Sequence, residues 1–225
     1  MDASVQTKNQ ITEGIIWRQL LIFFFPILLG TFFQQLYNTV DTVIVGQFVG
    51  KEALASVGGS AAQVVTLVVG FFTGLSSGAS ITIAQFVGAK DGRTANTGLH
   101  NAYALSLAGG IFFTFAGIIL APSLLSLMNT PAEIMRDSVV YLRIYFAGII
   151  FVFVYNMGSA ILRATGDSKR PLYYLIVCCF INIVLDILFV VGFRMGITGA
   201  AVATLIAPAV SAFLVTRRLM RSDGL

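Results

Sequence analysis

Residues 19–50 read QLLIFFFPILLGTFFQQLYNTVDTVIVGQFVG, and this stretch carries a single charged side chain, Asp41. A helix that crosses the hydrocarbon core of a membrane, about 30 Å thick, needs roughly 20 mostly apolar residues. The stretch is longer than that and therefore predicts a membrane-spanning helix. It also places one carboxyl group at a depth where a charge is costly.

The composition indicates the same environment for the whole chain. Hydrophobic residues make up 57% of the 225 residues and charged residues only 11%, with a mean hydropathy of +0.88. Soluble domains carry about 25% charged residues, so this is the composition of a polytopic membrane protein. Polar, turn-forming segments separate further long apolar stretches. The predicted spans cover residues 15–46, 53–86, 94–121, 132–162, 171–193 and 197–216.

The predicted fold class is therefore all-α, with six transmembrane helices. Residues 1–14 form a predicted cytoplasmic N-terminal segment, residues 15–219 the transmembrane lobe and residues 220–225 a cytoplasmic C-terminal end. Ten of the 14 Lys and Arg residues fall on the side of the N-terminus, and Lys and Arg favour cytoplasmic loops. The net charge of +4 is thereby explained as a signal of topology, and no nucleic-acid partner is expected.

No pattern in the chain indicates an enzyme or a cofactor. Cys178 and Cys179 are adjacent and have no metal-ligand spacing, so they are interpreted as packing residues. His100 is the single histidine and lies near a predicted loop. Nucleotide-binding loops and catalytic triad patterns are not found in the sequence.

Glycine and proline mark two further features of the spans. Gly70, Gly74 and Gly78 recur every four residues, which predicts a smooth groove where another helix packs closely. Pro26 and Pro208 each remove a helical hydrogen bond, which predicts bends in the first and sixth spans. Such a bend is either static or a hinge.

Asp41 has one counterpart, Asp186, since no other acid lies deep within a predicted span. Both precede the outer end of their helix by a similar number of residues, or roughly 10 Å at 1.5 Å per residue. Thr204 is predicted at the same depth, and Asn182 lies one helical turn before Asp186. A polar stripe of the first helix joins them in the predicted pocket: Gln34, Tyr37 or Asn38, and Asp41.

This pocket is expected to bind a cation. Intramembrane acids usually line a cavity, pair, or bind ions. Two neighbouring carboxyls fit proton binding, and oxygen ligands equally suit Na+. A site that loads a cation from outside and changes helix geometry on loading is what a secondary transporter needs.

Four segments carry a family resemblance: FFFPILLGTFFQQLYNTVDTVIVGQF (23–48), QFVGAKDG (85–92), ILRATGDSKRP (161–171) and NIVLD (182–186). They resemble the N-terminal half of the multidrug and toxic compound extrusion (MATE) transporters of the prokaryotic DNA-damage-inducible type. The resemblance covers almost the whole chain. It implies a multi-pass protein of the inner (plasma) membrane of a prokaryote that exports organic cations and amphipathic compounds, driven by inward H+ or Na+.

The resemblance also implies roles for individual residues. It implies a cation site, with H+ or Na+ as the coupling ion, at Asp41, Asn182, Asp186 and Thr204. It implies that Tyr37, Tyr141 and Asn156 line the lobe, in addition to Gln34 and Asn38 of the polar stripe. Pro26 matches the proline at which the first helix bends when the acid is protonated.

Family members carry twelve helices in two lobes, whereas this chain has six predicted spans. The expected partners are membrane lipid and a second lobe, most simply a second copy in a parallel homodimer. The alternative is an isolated or truncated lobe that binds a cation without transporting. A flippase for lipid-linked substrates also fits the helix count, although basic residues deep in the spans would be expected there. A non-transporting membrane scaffold is a further alternative, in which paired acids are unnecessary.

Overall fold

The computed structural model describes residues 16–221, and all secondary structure in this part of the chain is helical. Six helical units are long and apolar enough to cross a membrane, so the predicted all-α, six-span fold is confirmed. The segment 1–14 and most of the C-terminal end lie outside the described residues. The elements are α1 (Ile16–Phe48), α2 (Lys51–Gly58), α3 (Ser60–Gly88), α4 (Gly92–Leu127), α5 (Ala132–Ala164), α6 (Lys169–Asp186), a π-helical segment (Ile187–Gly192) and α7 (Gly196–Met220).

The second span is interrupted, whereas the sequence predicted one helix over residues 53–86. The break lies at Gly59, between α2 and α3, where the backbone angles are φ −84° and ψ −127°. A Cβ at this position would lie 2.5 Å from the Ala55 carbonyl oxygen. Glycine is therefore required at the break. The short helix α2 packs against α1 and α5.

The third span is longer than predicted. Its end was expected at Ala121, and the next residue, Pro122, cannot donate a helical hydrogen bond. Instead α4 continues to Leu127 with Pro122 inside it. The carbonyl of Ile118, which Pro122 leaves without its usual N–H donor, accepts a hydrogen bond of 3.2 Å from Nε of Arg143 on α5.

The turns after α3, α4 and α5 share one geometry. In each, a residue with positive φ follows the helix, and the next N–H bonds back to a carbonyl in the last turn. This pattern satisfies carbonyl groups that the helix end leaves open. The residues with positive φ are Lys90, Asn129 and Gly166.

The core of the lobe is built around α5 and α7. α5 packs against α3, α4 and α7, while α6 packs against α7 and α1. Phe146 and Phe153 of α5 are fully buried, and the ring of Phe153 stacks on Phe72 of α3 with 3.4 Å between centroids. Glycines allow the close approach of α4 and α5, since a Cβ at Gly110 would lie 2.7 Å from Ile150.

The glycine groove of α3 has no helix in it. Gly70, Gly74 and Gly78 have open space where a Cβ would be. No helix of the described part of this chain packs there, so the close contact with another helix stays a prediction. Val68 and Phe72 are buried on the opposite side of α3, and this side makes the contacts to α4 and α5.

Candidate cation-binding site

Two buried acids meet between α1 and α6. Asp41 of α1 is 8% exposed, and Asp186, the last residue of α6, is 0% exposed. Their carboxyl groups are close enough to interact directly. One oxygen of Asp41 and both oxygens of Asp186 have no hydrogen-bond partner within the described residues. Buried carboxylates without partners are costly, so this arrangement favours a proton or a cation between them.

Asn182 adds an amide to the same face of α6. It lies one turn before Asp186 and is fully buried. Neither its side-chain oxygen nor its side-chain nitrogen has a hydrogen-bond partner in the described structure. Most buried amides are hydrogen-bonded. The unpaired oxygen is therefore a further potential ligand for a cation.

Thr204 of α7 provides a hydroxyl. Its Oγ1 donates to the Ala200 carbonyl at 2.9 Å, which leaves the oxygen lone pairs available as acceptors. Tyr37 of α1 lies beside both Thr204 and Asp41. Pro208 has no N–H for the Thr204 carbonyl, so that backbone oxygen also lacks its usual helical donor.

Tyrosines of α5 close the site. Tyr141 is buried and lies near both Asp41 and Asp186. Tyr145 follows one turn later, with 6.3 Å between the two ring centroids, and was missed in the sequence analysis. Its spacing of four residues from Tyr141 was the available signal, because residues at i and i+4 share a helix face.

Three residues predicted to line the cavity lie elsewhere. Gln34 and Asn38 are exposed on α1, and Asn38 donates to Gln35 at 3.4 Å. Asn156 donates to the Val152 carbonyl at 2.9 Å and lies roughly 22 Å along α5 from Tyr141. A lining role for these three stays a prediction, and it would concern a cavity outside the buried acid pair.

Pro26 lies inside α1 and is buried. It precedes Asp41 by fifteen residues, or roughly 22 Å of helix. The helix continues on both sides of it, from Ile16 to Phe48. Its role as a hinge stays a prediction.

The helix that carries Asp186 becomes irregular directly after it. A π-helical segment begins at Ile187, and such segments occur frequently at functional sites. A cavity of about 290 Å³ lies near the C-terminal end of α1 and the N-terminal ends of α2, α5 and α7, and Glu52 and Asp137 are among its lining residues. Asp41 is seven residues before the C-terminal end of α1, or roughly 10 Å of helix.

The donor set is made of hard oxygen ligands. Within residues 16–221, no three His, Cys, Asp or Glu side chains come together. The available ligands are two carboxylates, an amide oxygen and a hydroxyl. Oxygen ligands of this kind suit Na+ better than a soft transition metal.

The chain is similar to multidrug resistance proteins. The MatE family model matches residues 26–188. The probable multidrug resistance protein YpnP of Bacillus subtilis (strain 168) is 38% identical over 201 residues, which cover 89% of this chain and 45% of that protein. The probable multidrug resistance protein NorM of Thermotoga maritima is 29% identical over 221 residues, which cover 96% of this chain and 47% of that protein.

A solved structure shows the same architecture. An outward-facing multidrug resistance MATE family transporter of the MOP superfamily matches with a TM-score of 0.89 and 30% identity, over 96% of this chain and 48% of that one. The chain thus spans about half the length of the curated relatives it matches. The family model covers well over half of the chain, including Asp41, Asn182 and Asp186. The chain is a multi-pass membrane protein that belongs to the multidrug and toxic compound extrusion family.

Proposed function

We propose that the chain is one lobe of a cation-coupled multidrug exporter, in which two copies take the place of two fused lobes. It exchanges H+ or Na+ from outside for organic cations and amphipathic compounds from inside. The observation that supports this proposal best is the buried pair of Asp41 and Asp186, in which three of the four carboxyl oxygens have no hydrogen-bond partner within residues 16–221. The names of the relatives support the substrate class, since they are probable multidrug resistance proteins.

The acid pair supplies a physical reason for coupling. Two adjacent buried carboxylates repel each other and are poorly solvated, so the ionised pair is unfavourable without a cation. Binding of a proton or Na+ removes that repulsion and draws α1 towards α6. Release of the cation allows the two helices to separate again. A site with two such states is the basis of alternating access.

Neutralising either acid should abolish export. Asp41→Asn and Asp186→Asn keep the side-chain size but remove the charge, and resistance in a drug-hypersensitive bacterial strain should fall to the level of the empty vector. Glu133→Gln, an exposed position in the first turn of α5, is the matched control and should retain resistance. Full resistance in both acid variants would contradict the proposal.

Thermal unfolding can identify the coupling ion. A cation that binds only the folded protein raises its apparent stability with concentration. If Na+ is the ion, the melting temperature should rise in Na+ compared with equal K+, and Asp186→Asn should lose that difference. Equal melting temperatures in both salts, together with drug transport driven by a pH gradient in proteoliposomes, would identify H+.

A further inference from the structure

Two exposed arginines, Arg136 and Arg143, lie on one face of α5. They are seven residues apart, which corresponds to two helical turns and roughly 10 Å. Both belong to the end of the lobe that contains the α4–α5 loop, where only four of the 14 Lys and Arg residues lie. The preference of basic residues for one side of a membrane accounts for the opposite end of the lobe, and it gives no reason for this pair.

Arg143 lies deep in its span for a charged side chain. It is eleven residues from the start of α5 at Ala132, or roughly 16 Å of helix. A charge at such a depth is costly unless it reaches the interface or meets an opposite charge. Side chains of a helix lean towards its N-terminus, and the N-terminus of α5 is the end nearer to this interface. The side chain of Arg143 therefore leads towards the level of Arg136.

A hydrogen bond holds the guanidinium of Arg143 at the edge between α4 and α5. Its Nε donates to the Ile118 carbonyl of α4 at 3.2 Å. An arginine has two terminal nitrogens besides Nε, and these carry four of its five N–H donors. The bond to α4 thus fixes the position of the group and leaves most of its donors for another acceptor.

The charge of the two arginines is not compensated by an acid of the chain. Neither Arg136 nor Arg143 forms an ion pair within residues 16–221, although Glu133 and Asp137 are on the same helix. Asp137 lines the cavity near α2 and α7, and its spacing of six residues from Arg143 places it on another face of α5. Two uncompensated cations near a membrane interface favour an anion as their neighbour.

The surface of α4 next to Arg143 is apolar. Ile111, Phe115 and Ile118 are separated by four and three residues, so they share one face of α4. Ile111 and Phe115 are exposed. Ile111 lies seven residues, or roughly 10 Å, farther from the α4–α5 loop than Ile118. The cleft between α4 and α5 is therefore cationic near the loop and apolar towards the membrane centre, which complements an anionic headgroup with its acyl chain.

We propose that Arg136 and Arg143 bind the headgroup of an anionic phospholipid, with an acyl chain along Ile111 and Phe115. A guanidinium and a phosphate form charge-assisted hydrogen bonds, often two in parallel. A zwitterionic headgroup carries an ammonium group that offsets the charge of its phosphate, so two arginines favour an anionic headgroup. The site lies on the lipid-facing side of the lobe and does not depend on the proposed export.

Native mass spectrometry of the detergent-purified chain tests the headgroup. The wild type should bind dioleoyl phosphatidylglycerol more tightly than dioleoyl phosphatidylcholine, which has the same acyl chains. Arg136→Gln should weaken the binding of phosphatidylglycerol about fivefold, the loss typical of one basic residue at an anionic lipid surface. Arg194→Gln removes the same charge from an exposed residue at the same end of the lobe and should leave the binding unchanged. Equal binding of the two lipids, or an equal loss in the two variants, would overturn the proposal.

Arg143→Gln should cause a similar loss of binding. This variant also changes the hydrogen bond to Ile118, so its melting temperature is measured in parallel, and Arg136→Gln decides the test if Arg143→Gln does not fold. A folded Arg143→Gln variant that binds phosphatidylglycerol as tightly as the wild type would overturn the site.

Tryptophan quenching locates the acyl chain. Trp17 is the single tryptophan, so Phe115→Trp in a Trp17→Phe background reports one position. Phosphatidylglycerol with brominated acyl chains, mixed into phosphatidylcholine vesicles, should quench it more strongly than the same fraction of brominated phosphatidylcholine. Phe180→Trp on α6 is the matched control, because Phe180 and Phe115 are 62% and 65% exposed, and it should show no difference between the lipids. The same result at both positions, or no quenching at position 115, would contradict the proposed place of the lipid.

Discussion

At the scale of single residues, Arg143 completes a hydrogen bond that α4 cannot complete alone. Pro122 leaves the carbonyl of Ile118 without its helical donor, and Nε of Arg143 donates to it from α5. This hydrogen bond removes the free-energy cost of an unpaired carbonyl group inside the membrane, where no water can bond to it. It also gives an exposed arginine in a transmembrane helix a structural role, since the rest of the guanidinium can extend towards the interface.

The role of Arg143 can be measured in a double-mutant cycle. Arg143→Met keeps the length of the side chain but removes the donor, and should destabilise the lobe by about 1–2 kcal/mol. In the Pro122→Ala background the new N–H of residue 122 bonds to Ile118, so the same change should cost less. Unfolding in mixed detergent micelles measures both losses. Equal losses in the two backgrounds would show that Arg143 acts in another way.

Asp91 offers a second test, at the start of α4. Its side chain accepts a hydrogen bond of 3.1 Å from the Thr94 amide, and hydrogen bonds from the Thr94 side chain and backbone lower the pKa of this carboxyl. Because the pKa of Asp91 is lower in the folded state, the cap stabilises the helix at neutral pH and is lost as the pH falls through that value. Amide hydrogen exchange should therefore show that the hydrogen bond from Thr94 to Asp91 opens more often in acid than at neutral pH. Asp91→Asn, which caps without titrating, should remove this pH dependence.

At the scale of the elements, glycines decide how closely α4 approaches α5. A Cβ at Gly117 would overlap the ring of Phe146, which is 1% exposed. A Cβ at Gly110 would likewise meet Ile150. On α5, Gly148 and Gly158 have the same relation to Leu205 and Val215 of α7. The helix pairs of the core are therefore held at distances that only glycine permits. These glycines lie on α4 and α5.

Gly117→Ala should destabilise the lobe by about 1–3 kcal/mol, because a methyl group forces the buried Phe146 to move. Gly98→Ala on the same helix is the control. Its Cβ would lie 3.5 Å from Ile83, an ordinary contact, so this change should be neutral or slightly stabilising. Melting temperatures of the two variants in detergent compare them directly. A lower melting temperature for Gly98→Ala than for Gly117→Ala would contradict this account of the packing.

At the scale of the whole molecule, the distribution of charge predicts the orientation. The residues around the α5–α6 loop and the end of α7 include six of the 14 Lys and Arg side chains: Arg163, Lys169, Arg170, Arg217, Arg218 and Arg221. The opposite end has fewer, and it also holds the cavity lined by Glu52 and Asp137. Because cytoplasmic loops favour Lys and Arg, the cavity end is expected to face outside.

Reporter fusions test this orientation. A green fluorescent protein fused to the C-terminus should fluoresce, and alkaline phosphatase at the same place should be inactive, since each works on one side of the membrane only. Alkaline phosphatase inserted after Thr130, in the loop between α4 and α5, should be active. The reverse pattern would place the cavity on the cytoplasmic side.

The sequence by itself determined the six spans and the equal depth of Asp41 and Asp186. Both follow from local properties, namely the hydropathy of each segment and the fixed rise of a helix per residue. Tertiary structure alone decided the continuation of α4 through Pro122, since its donor Arg143 comes from another helix. It also brought Tyr145 to the site and left Gly70, Gly74 and Gly78 of α3 without a neighbouring helix in the part of the chain that the structure describes. A periodic pattern shows which residues share a helix face, but only contacts with neighbouring helices decide which way that face points.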